Sequence, residues 1–263
     1  MKERGMISSN VAVDLDEVVR FLDAELNVAE IPDYTGAMNG LQLANSGKVT
    51  KVGSAVDASL PVIEKAVAAG VDLLIVHHGL FWQGAQKIVA AQYDKLKIAM
   101  DADMAIYSSH IPLDIHKLYG NNVLLSRAIG MNEAEAYYDW KGVTLGLKQK
   151  LDVSIDALLK SVECAVGGAV HVCRGRKSSD VGMVGVITGG AGSEVQAMAA
   201  AGIDTFITGE GPHWSFPLAE ELGLNVIYAG HYATETFGVR EIMNLLSNKY
   251  SVSKHYVNHP TGL

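Results

Sequence analysis

The sequence predicts an α/β fold made of two related halves from an internal duplication, and three observations predict it. First, the stretch from Val52 to Trp82 recurs without a gap from Val184 to Trp214. Val52-Gly53, Gly70, Asp72, Ile75, Gly79 and Trp82 reappear as Val184-Gly185, Gly202, Asp204, Ile207, Gly211 and Trp214, at a constant offset of 132 that carries Asp72 to Asp204. Second, each copy reads strand, helix, strand, an order that within one sheet implies a right-handed crossover and a parallel pair. Third, a strand leading into His-x-x-x-acid follows each copy. Ile106-Tyr107-Ser108-Ser109-His110 with Asp114 parallels Ile227-Tyr228-Ala229-Gly230-His231 with Glu235, at an offset of 121 that carries His110 to His231.

The elements follow in order. From Asp14, the apolar positions Leu15, Val18, Val19, Leu22 and Leu26 recur at helical spacing, and Asp14 with Glu17 resembles a capping box. Ile31-Pro32-Asp33 and Asn39-Gly40 mark loop, and Val49 to Val56 reads as a strand. Pro61 suits the first turn of a helix that runs through Ala69 and closes at a left-handed Gly70. Val71 to Val76 is an apolar run without alternation, the pattern of a strand buried on both faces, so His77 and His78 are expected just past its carboxyl end. The second copy repeats the plan with a strand from Met183 to Thr188, a helix from about Ser193 to Ala201 and a strand from Ile203 to Thr208, so Glu210 takes the place of His78. Residues 131–182 have no counterpart inside the first copy and read as a small inserted subdomain, between a first half at 1–130 and a second at 183–263. Helical spacing returns around Ile155 to Val162 and from Gly238 to Tyr250.

Composition bounds the function. A chain of 263 residues, 49% hydrophobic and 19% charged, belongs with globular proteins and can bury a large core. Twenty-one Lys and Arg against 29 Asp and Glu give a formal charge of −8, which disfavours nucleic acid and anionic lipid as partners. The first ten residues lack the apolar core of a signal peptide and no long apolar run occurs, so a cytoplasmic location is expected. Cys164 and Cys173 are too few for a disulfide framework and are read as buried, inert thiols.

In open α/β sheets, ligands gather at the carboxyl ends of strands. His77, His78, Asp114, His231 and Glu235 all stand there, and mixed imidazole and carboxylate donors suit first-row divalent ions. Adjacent residues leaving a strand point in opposite directions, so His77 and His78 are expected to serve two neighbouring ions, with Asp114 or Glu235 bridging.

These residues resemble those of the Nif-three-like dinuclear metal proteins, also named GTP cyclohydrolase I type 2 homologues. The matching motifs are Asn39-Gly40-Leu41-Gln42, His77-His78-Gly79-Leu80-Phe81-Trp82, Pro112-Leu113-Asp114 with Gly120-Asn121-Asn122, Thr208-Gly209-Glu210, and Ala229-Gly230-His231-Tyr232-Ala233-Thr234-Glu235. They span nearly the whole chain. The resemblance implies that His77, His78, Asp114, His231 and Glu235 ligate two divalent ions per subunit, in a cleft between two interlocked halves, and that the subunits form a ring-shaped homohexamer. Zinc, iron, manganese, cobalt and nickel all accept such ligands.

The expected function is a dinuclear-metal hydrolase in which a metal-bound hydroxide attacks a nucleotide-like or cyclic amide small molecule; the family name points to GTP. The alternative is a non-enzymatic, metal-dependent regulatory or metal-handling protein. His110 is a candidate proton shuttle, weaker ligand or partner of a ligand, or else a histidine that merely holds its loop. Glu210 is a candidate general base or water-orienting group, or a cap on the next turn. Tyr232, beside His231, is a candidate substrate contact, whereas the family commonly has another residue at His213. Thr188-Gly189-Gly190-Ala191-Gly192-Ser193 could cradle a phosphate but reads better as a tight turn, and Arg174-Gly175-Arg176-Lys177 as a solvated charged turn. Packing at the duplicated interface is the preferred reading of Trp82 and Trp214.

Overall fold

The structure, a computed structural model, describes residues 12–82, 84, 86–175 and 180–263. The N-terminal segment read above for targeting lies outside the described residues, as do Arg176 and Lys177 of the basic turn.

Strand β1 (Val13–Asp14) leads into helix α1 (Leu15–Leu26), where the Glu17 amide donates to Asp14 Oδ1 at 3.2 Å. The helix buries Leu15, Val18, Leu22 and Leu26, the stripe its spacing predicts. Next come β2 (Gly40–Leu43), β3 (Lys48–Val49) and β4 (Lys51–Asp57). Helix α2 (Leu60–Ala68) has Pro61 in its first turn and is followed by Gly70 at φ +69°. Then come β5 (Leu73–His78), α3 (Ala91–Asp101) and β6 (Ala105–Ser108). The chain continues through α4 (Ile111–Asp114), α5 (Asn121–Ala128), β7 (Glu135–Trp140), β8 (Val143–Ser154) and α6 (Ile155–Val166). After β9 (His171–Cys173) and β10 (Asp180–Val186), a 3-10 turn at Ala191–Glu194 opens α7 (Val195–Ala200). The last elements are β11 (Thr205–Thr208), α8 (Ser215–Leu222), β12 (Asn225–Tyr228), α9 (His231–Thr234), α10 (Thr236–Tyr250) and β13 (Ser253–Tyr256).

The chain divides into two units, each threaded from separate stretches. The first takes residues up to Glu25, Thr35–Ser109 and Arg240–Asn258; the second takes Leu26–Tyr34, His110–Val239 and His259–Leu263. In the first, a five-stranded sheet runs in the order β13-β4-β5-β6-β2, parallel except for the antiparallel edge strand β2. Its core packs Val62, Ile63 and Ala66 of α2 and Leu96 and Ala99 of α3 with Leu74, Val76 and Ile106 of the sheet. In the second, a six-stranded sheet runs β7-β8-β10-β11-β12-β9, so the stretch expected as an inserted subdomain, 131–182, supplies β7, β8 and β9 of this sheet and the start of β10. Here α5 and α6 pack through Leu125, Leu158 and Val162 with Val184, Val186, Ile207 and Ile227 of the sheet.

The ladders repeat where the sequence does. Val52 pairs with Leu73 and Ser54 with Ile75, and at the same offset of 132 Val184 pairs with Thr205 and Val186 with Ile207. The third strands depart from the sequence match by one residue. Leu73 pairs with Ala105 and Ile75 with Tyr107, while Thr205 pairs with Asn225 and Ile207 with Ile227, which relates Ala105 to Asn225 at 120 rather than 121. Helices α4 and α9 begin at Ile111 and His231, again 120 apart. In the hydrogen-bonded frame His110 therefore matches Gly230, and Asp114 matches Thr234. The recurring Ile-Tyr pair misaligned the strands, and the two His-x-x-x-acid segments are not equivalent.

Both tryptophans are partly exposed, Trp82 at 39% and Trp214 at 50%, and the Trp82 ring lies 5.1 Å from that of His78. The cysteines differ from each other: Cys164 on α6 is exposed, whereas Cys173 in β9 is buried and burial pushes its thiol up to about 11. A thiol reagent at mildly alkaline pH is expected to modify one cysteine in the native protein and two after unfolding; two fast native thiols would contradict this placement. No helix of the described residues is long and apolar enough to cross a membrane.

Candidate metal centre

Groups of His, Asp and Glu side chains that could hold a metal ion occur among the described residues. In the first unit, His77 and His78 are the last two residues of β5, not residues beyond it. His77 is fully buried, and its Nδ1 lies 2.9 Å from the carbonyl oxygen of Ser109. A carbonyl only accepts, so Nδ1 carries the proton and Nε2 the lone pair. His78 Nδ1 lies 2.9 Å from Asp57 Oδ1, at the end of the neighbouring β4, and a carboxylate imposes the same tautomer. The two rings have centroids 4.8 Å apart, so they stand side by side. Strand alternation predicts divergence. It fails because the pair stands at the strand's terminus, where the His78 carbonyl already accepts from the Ala58 amide of the following turn.

Gln42, the last residue of the Asn39-Gly40-Leu41-Gln42 motif, ties β2 to the turn after His78. Its Oε1 accepts the Leu80 amide at 2.6 Å and its Nε2 donates to the Met38 carbonyl at 2.6 Å. A Cβ on Gly79 would stand 2.3 Å from the Gln42 amide, so a side chain there would push Gln42 out of this position.

In the second unit, Asp114 is buried at the end of α4 and accepts from Asn121 Nδ2 at 2.8 Å and Thr188 Oγ1 at 3.2 Å. Asn121 Oδ1 also takes the Gly238 amide, and Asn122 Oδ1 takes the Thr188 amide at 2.8 Å. The Gly120-Asn121-Asn122 motif is thus the cradle of Asp114. His231, first residue of α9, has Nδ1 2.7 Å from Glu210 Oε1 and Nε2 3.1 Å from Oε1 of the buried Glu235. Burial works against a charge on this ring, but hydrogen bonds and charge from Glu235 and Glu210 outweigh it and lift His231 to about 9. His231 Nε2 and Glu235 Oε1 belong to a donor set of the kind that could hold a divalent ion.

Glu210 stands behind His231, with one carboxylate oxygen on its Nδ1. His110, the residue before α4, has Nδ1 2.8 Å from Asp33 Oδ1, while Asp33 Oδ2 accepts the Ile111 amide at 3.0 Å. Asp33 and Asp57 escaped the sequence reading. The Ile31-Pro32-Asp33 loop showed a turn, but nothing local tells that its carboxylate reaches a histidine 77 positions on. Tyr232 is buried, and its hydroxyl accepts the His259 amide at 2.9 Å, which places it in packing against the tail of this unit.

The glycine-rich segment is a turn, and four of its amides are engaged within the fold. Thr188 N donates to Asn122, Gly189 N to Thr234 Oγ1, Ala191 N to Thr208 Oγ1 and Gly192 N to the Glu210 carbonyl. Gly189 has φ +71°, and a Cβ there would stand 2.2 Å from Glu235 Oε1. The turn is built to let Glu235 lie against bare backbone. Of the basic turn, the described Arg174 forms an exposed ion pair with Asp156 at 2.8 Å.

A family model described as Duf34/NIF3 (NGG1p interacting factor 3) matches residues 13–260. The chain belongs to this family. Duf34/NIF3 membership bears out the resemblance read from the motifs. Among its relatives, a Deinococcus radiodurans protein named GTP cyclohydrolase 1 type 2 homolog is 35% identical over 250 residues, covering 94% of each chain. A Pyrococcus horikoshii protein of the same name is 36% identical over 257 residues, 95% of this chain and all of that one. The crystal structure of a Thermus thermophilus protein superposes with a TM-score of 0.85 at 36% identity, covering 95% of this chain and 100% of its own. A mixed α/β fold is thus shared with the Duf34/NIF3 structures.

Proposed function

We propose that this chain holds divalent metal through His77, His78, Asp114, His231 and Glu235 and is a metal-dependent hydrolase of a nucleotide-like or cyclic amide substrate. One observation supports the reading most: each imidazole has its Nδ1 engaged from behind, His77 by a carbonyl and His78 and His231 by carboxylates. That arrangement fixes the ring and the tautomer and makes Nε2 the more basic donor, the recurrent second layer of metal-bound histidines. A histidine that only filled the core would need no such uniform treatment. Bound ions would supply Lewis acidity and lower the pKa of a coordinated water.

The protein's own groups divide the remaining work. Asp57 and Glu210 orient His78 and His231. Asn121 and Thr188 orient Asp114 by donating to its Oδ1. His110, turned by Asp33 in the same way, is the proposed proton-transfer group. The relatives' name is the support for a nucleotide-like substrate.

Metal analysis of anaerobically purified protein, followed by a hydrolysis screen with the matched metal across phosphoesters, nucleotides and cyclic amides, tests the reading. Stoichiometric metal with activity that His78→Ala abolishes is expected. Metal without hydrolysis, and a variant that behaves like the parent in cells, would instead indicate the non-enzymatic metal protein.

A further inference from the structure

A cavity of about 630 Å³ opens in the second unit beside Glu210, lined in large part by aromatic rings and bare backbone. His171 of β9, Phe216 of α8 and Tyr228 of β12 contribute rings; Gly209, Gly211 and Gly230 contribute bare backbone. The His171 ring lies 5.4 Å from Phe216 and 6.3 Å from Tyr228, inclined only 28° to the latter. Two devices fix this wall. His171 and Tyr228 are ladder partners of β9 and β12, and the Tyr228 hydroxyl lies 2.7 Å from Ser215 Oγ. The cavity is of small-molecule size, and fixed rings attract flat π-systems at little cost in side-chain entropy.

Its polar side chains are the His171 and His213 imidazoles, the Tyr228 hydroxyl and one carboxylate, that of Glu210. Glu210 lines the cavity while one of its oxygens holds His231 Nδ1 at 2.7 Å, so a ligand in the cavity is one side chain removed from a proposed metal ligand. A carboxylate accepts and does not donate, so it selects N–H donors and disfavours an anionic ring edge.

We propose that this cavity binds a flat, neutral heteroaromatic ring with N–H donors on its edge, the ring portion of the substrate, with the N–H edge toward Glu210 and a face on the wall of His171, Phe216 and Tyr228. The assignment to substrate rests on the hydrolase reading; the ring site itself does not. It also gives His171 and Phe216 a purpose that neither the motifs nor the metal site supplies.

The test uses the full chain stripped of metal by chelation, so that its outcome is independent of metal chemistry. 3-Aminoindazole, flat with ring and exocyclic N–H, is titrated by calorimetry against 1-methylindazole, flat without N–H, and cyclohexylurea, which has donors and no aromatic ring. Saturable binding of 3-aminoindazole is expected, with each comparator weaker by about tenfold, the size of one charged hydrogen bond or one good stacking contact. Phe216→Ala is expected to weaken both indazoles by about fivefold or more, whereas Glu210→Gln weakens 3-aminoindazole alone. His171→Ala, at an exposed edge position, provides the same stacking readout should Phe216→Ala fail to fold. No saturable binding, or binding that Phe216→Ala or His171→Ala in folded protein leaves unchanged, overturns the proposal. Ring binding in a protein that proves to hydrolyse nothing would sink the hydrolase reading and leave the ring site standing.

Discussion

Glu210→Gln and Asp57→Asn are each expected to weaken metal binding by about 10- to 100-fold, the usual cost of losing the carboxylate behind a metal-bound histidine, while the protein stays folded. The argument starts from the two distances, 2.7 Å from His231 Nδ1 to Glu210 and 2.9 Å from His78 Nδ1 to Asp57. Each amide replacement keeps the side chain's size but removes the charge that polarises Nδ1–H and strengthens Nε2 as a donor. The amide can also turn its NH2 toward the ring and favour the wrong tautomer. Competition with a chelator of known affinity measures the change. Asp204→Asn is the control, because that carboxylate accepts the Met183 amide at 2.9 Å and serves the sheet rather than an imidazole. If Glu210→Gln and Asp57→Asn match the parent, the imidazoles are not oriented in the manner proposed, and the case for five ligands loses its main structural support.

How much of this was legible beforehand depends on what local sequence can encode. The apolar run before His77 fixed a strand buried on both faces, and the gap-free offset of 132 transferred that assignment to Thr205–Thr208. Gly70 and Pro61 marked the ends of α2 because their backbone preferences act within a few residues. What sequence missed is set at long range. Asp33 and Asp57 matter through partners 77 and 21 positions away, and an aspartate in a loop or at a strand end has no local signature of such a partner. The offset of 121 failed for a related reason. Identity between Ile106-Tyr107 and Ile227-Tyr228 aligned side chains, whereas the backbone ladder, which pairs Tyr107 with Ile75 and Ile227 with Ile207, decides which residue begins the helix. One residue of slip moves His231 into the first turn of α9 and leaves His110 before α4. The two histidines accordingly meet different carboxylates.

Gly192→Ala is expected to lower stability by about 3 kcal/mol or more, at or above the top of the usual overpacking range, and to lower Tm by about 6–12 °C at the roughly 2–4 °C per kcal/mol of a chain this long. The reason is the hardness of what surrounds it. A Cβ at Gly192 would stand 2.4 Å from Gly211 Cα, 2.7 Å from the Glu210 carbonyl oxygen and 2.9 Å from Gly211 N. All three are backbone atoms of the segment that carries Glu210, and Gly192 N already donates to that carbonyl at 2.9 Å. No side chain can swing aside, so the turn and the segment must separate and the hydrogen bond must lengthen. The same displacement moves Glu210 away from His231, so the variant is expected to lose metal affinity together with stability, although residue 192 meets Glu210 only at its backbone and not at the carboxylate of the 2.7 Å contact. Gly168→Ala separates this effect from the general cost of replacing glycine. It has open space around the added methyl and an ordinary φ, and is expected within about 0.5 kcal/mol of the parent. Thermal unfolding of the two variants, each with and without chelator, reads both quantities at once. A Gly192→Ala protein that melts within about 2 °C of the parent, a shift worth no more than about 1 kcal/mol, would mean that the glycine-rich turn yields, and that the position of Glu210 is not enforced by the backbone beneath it.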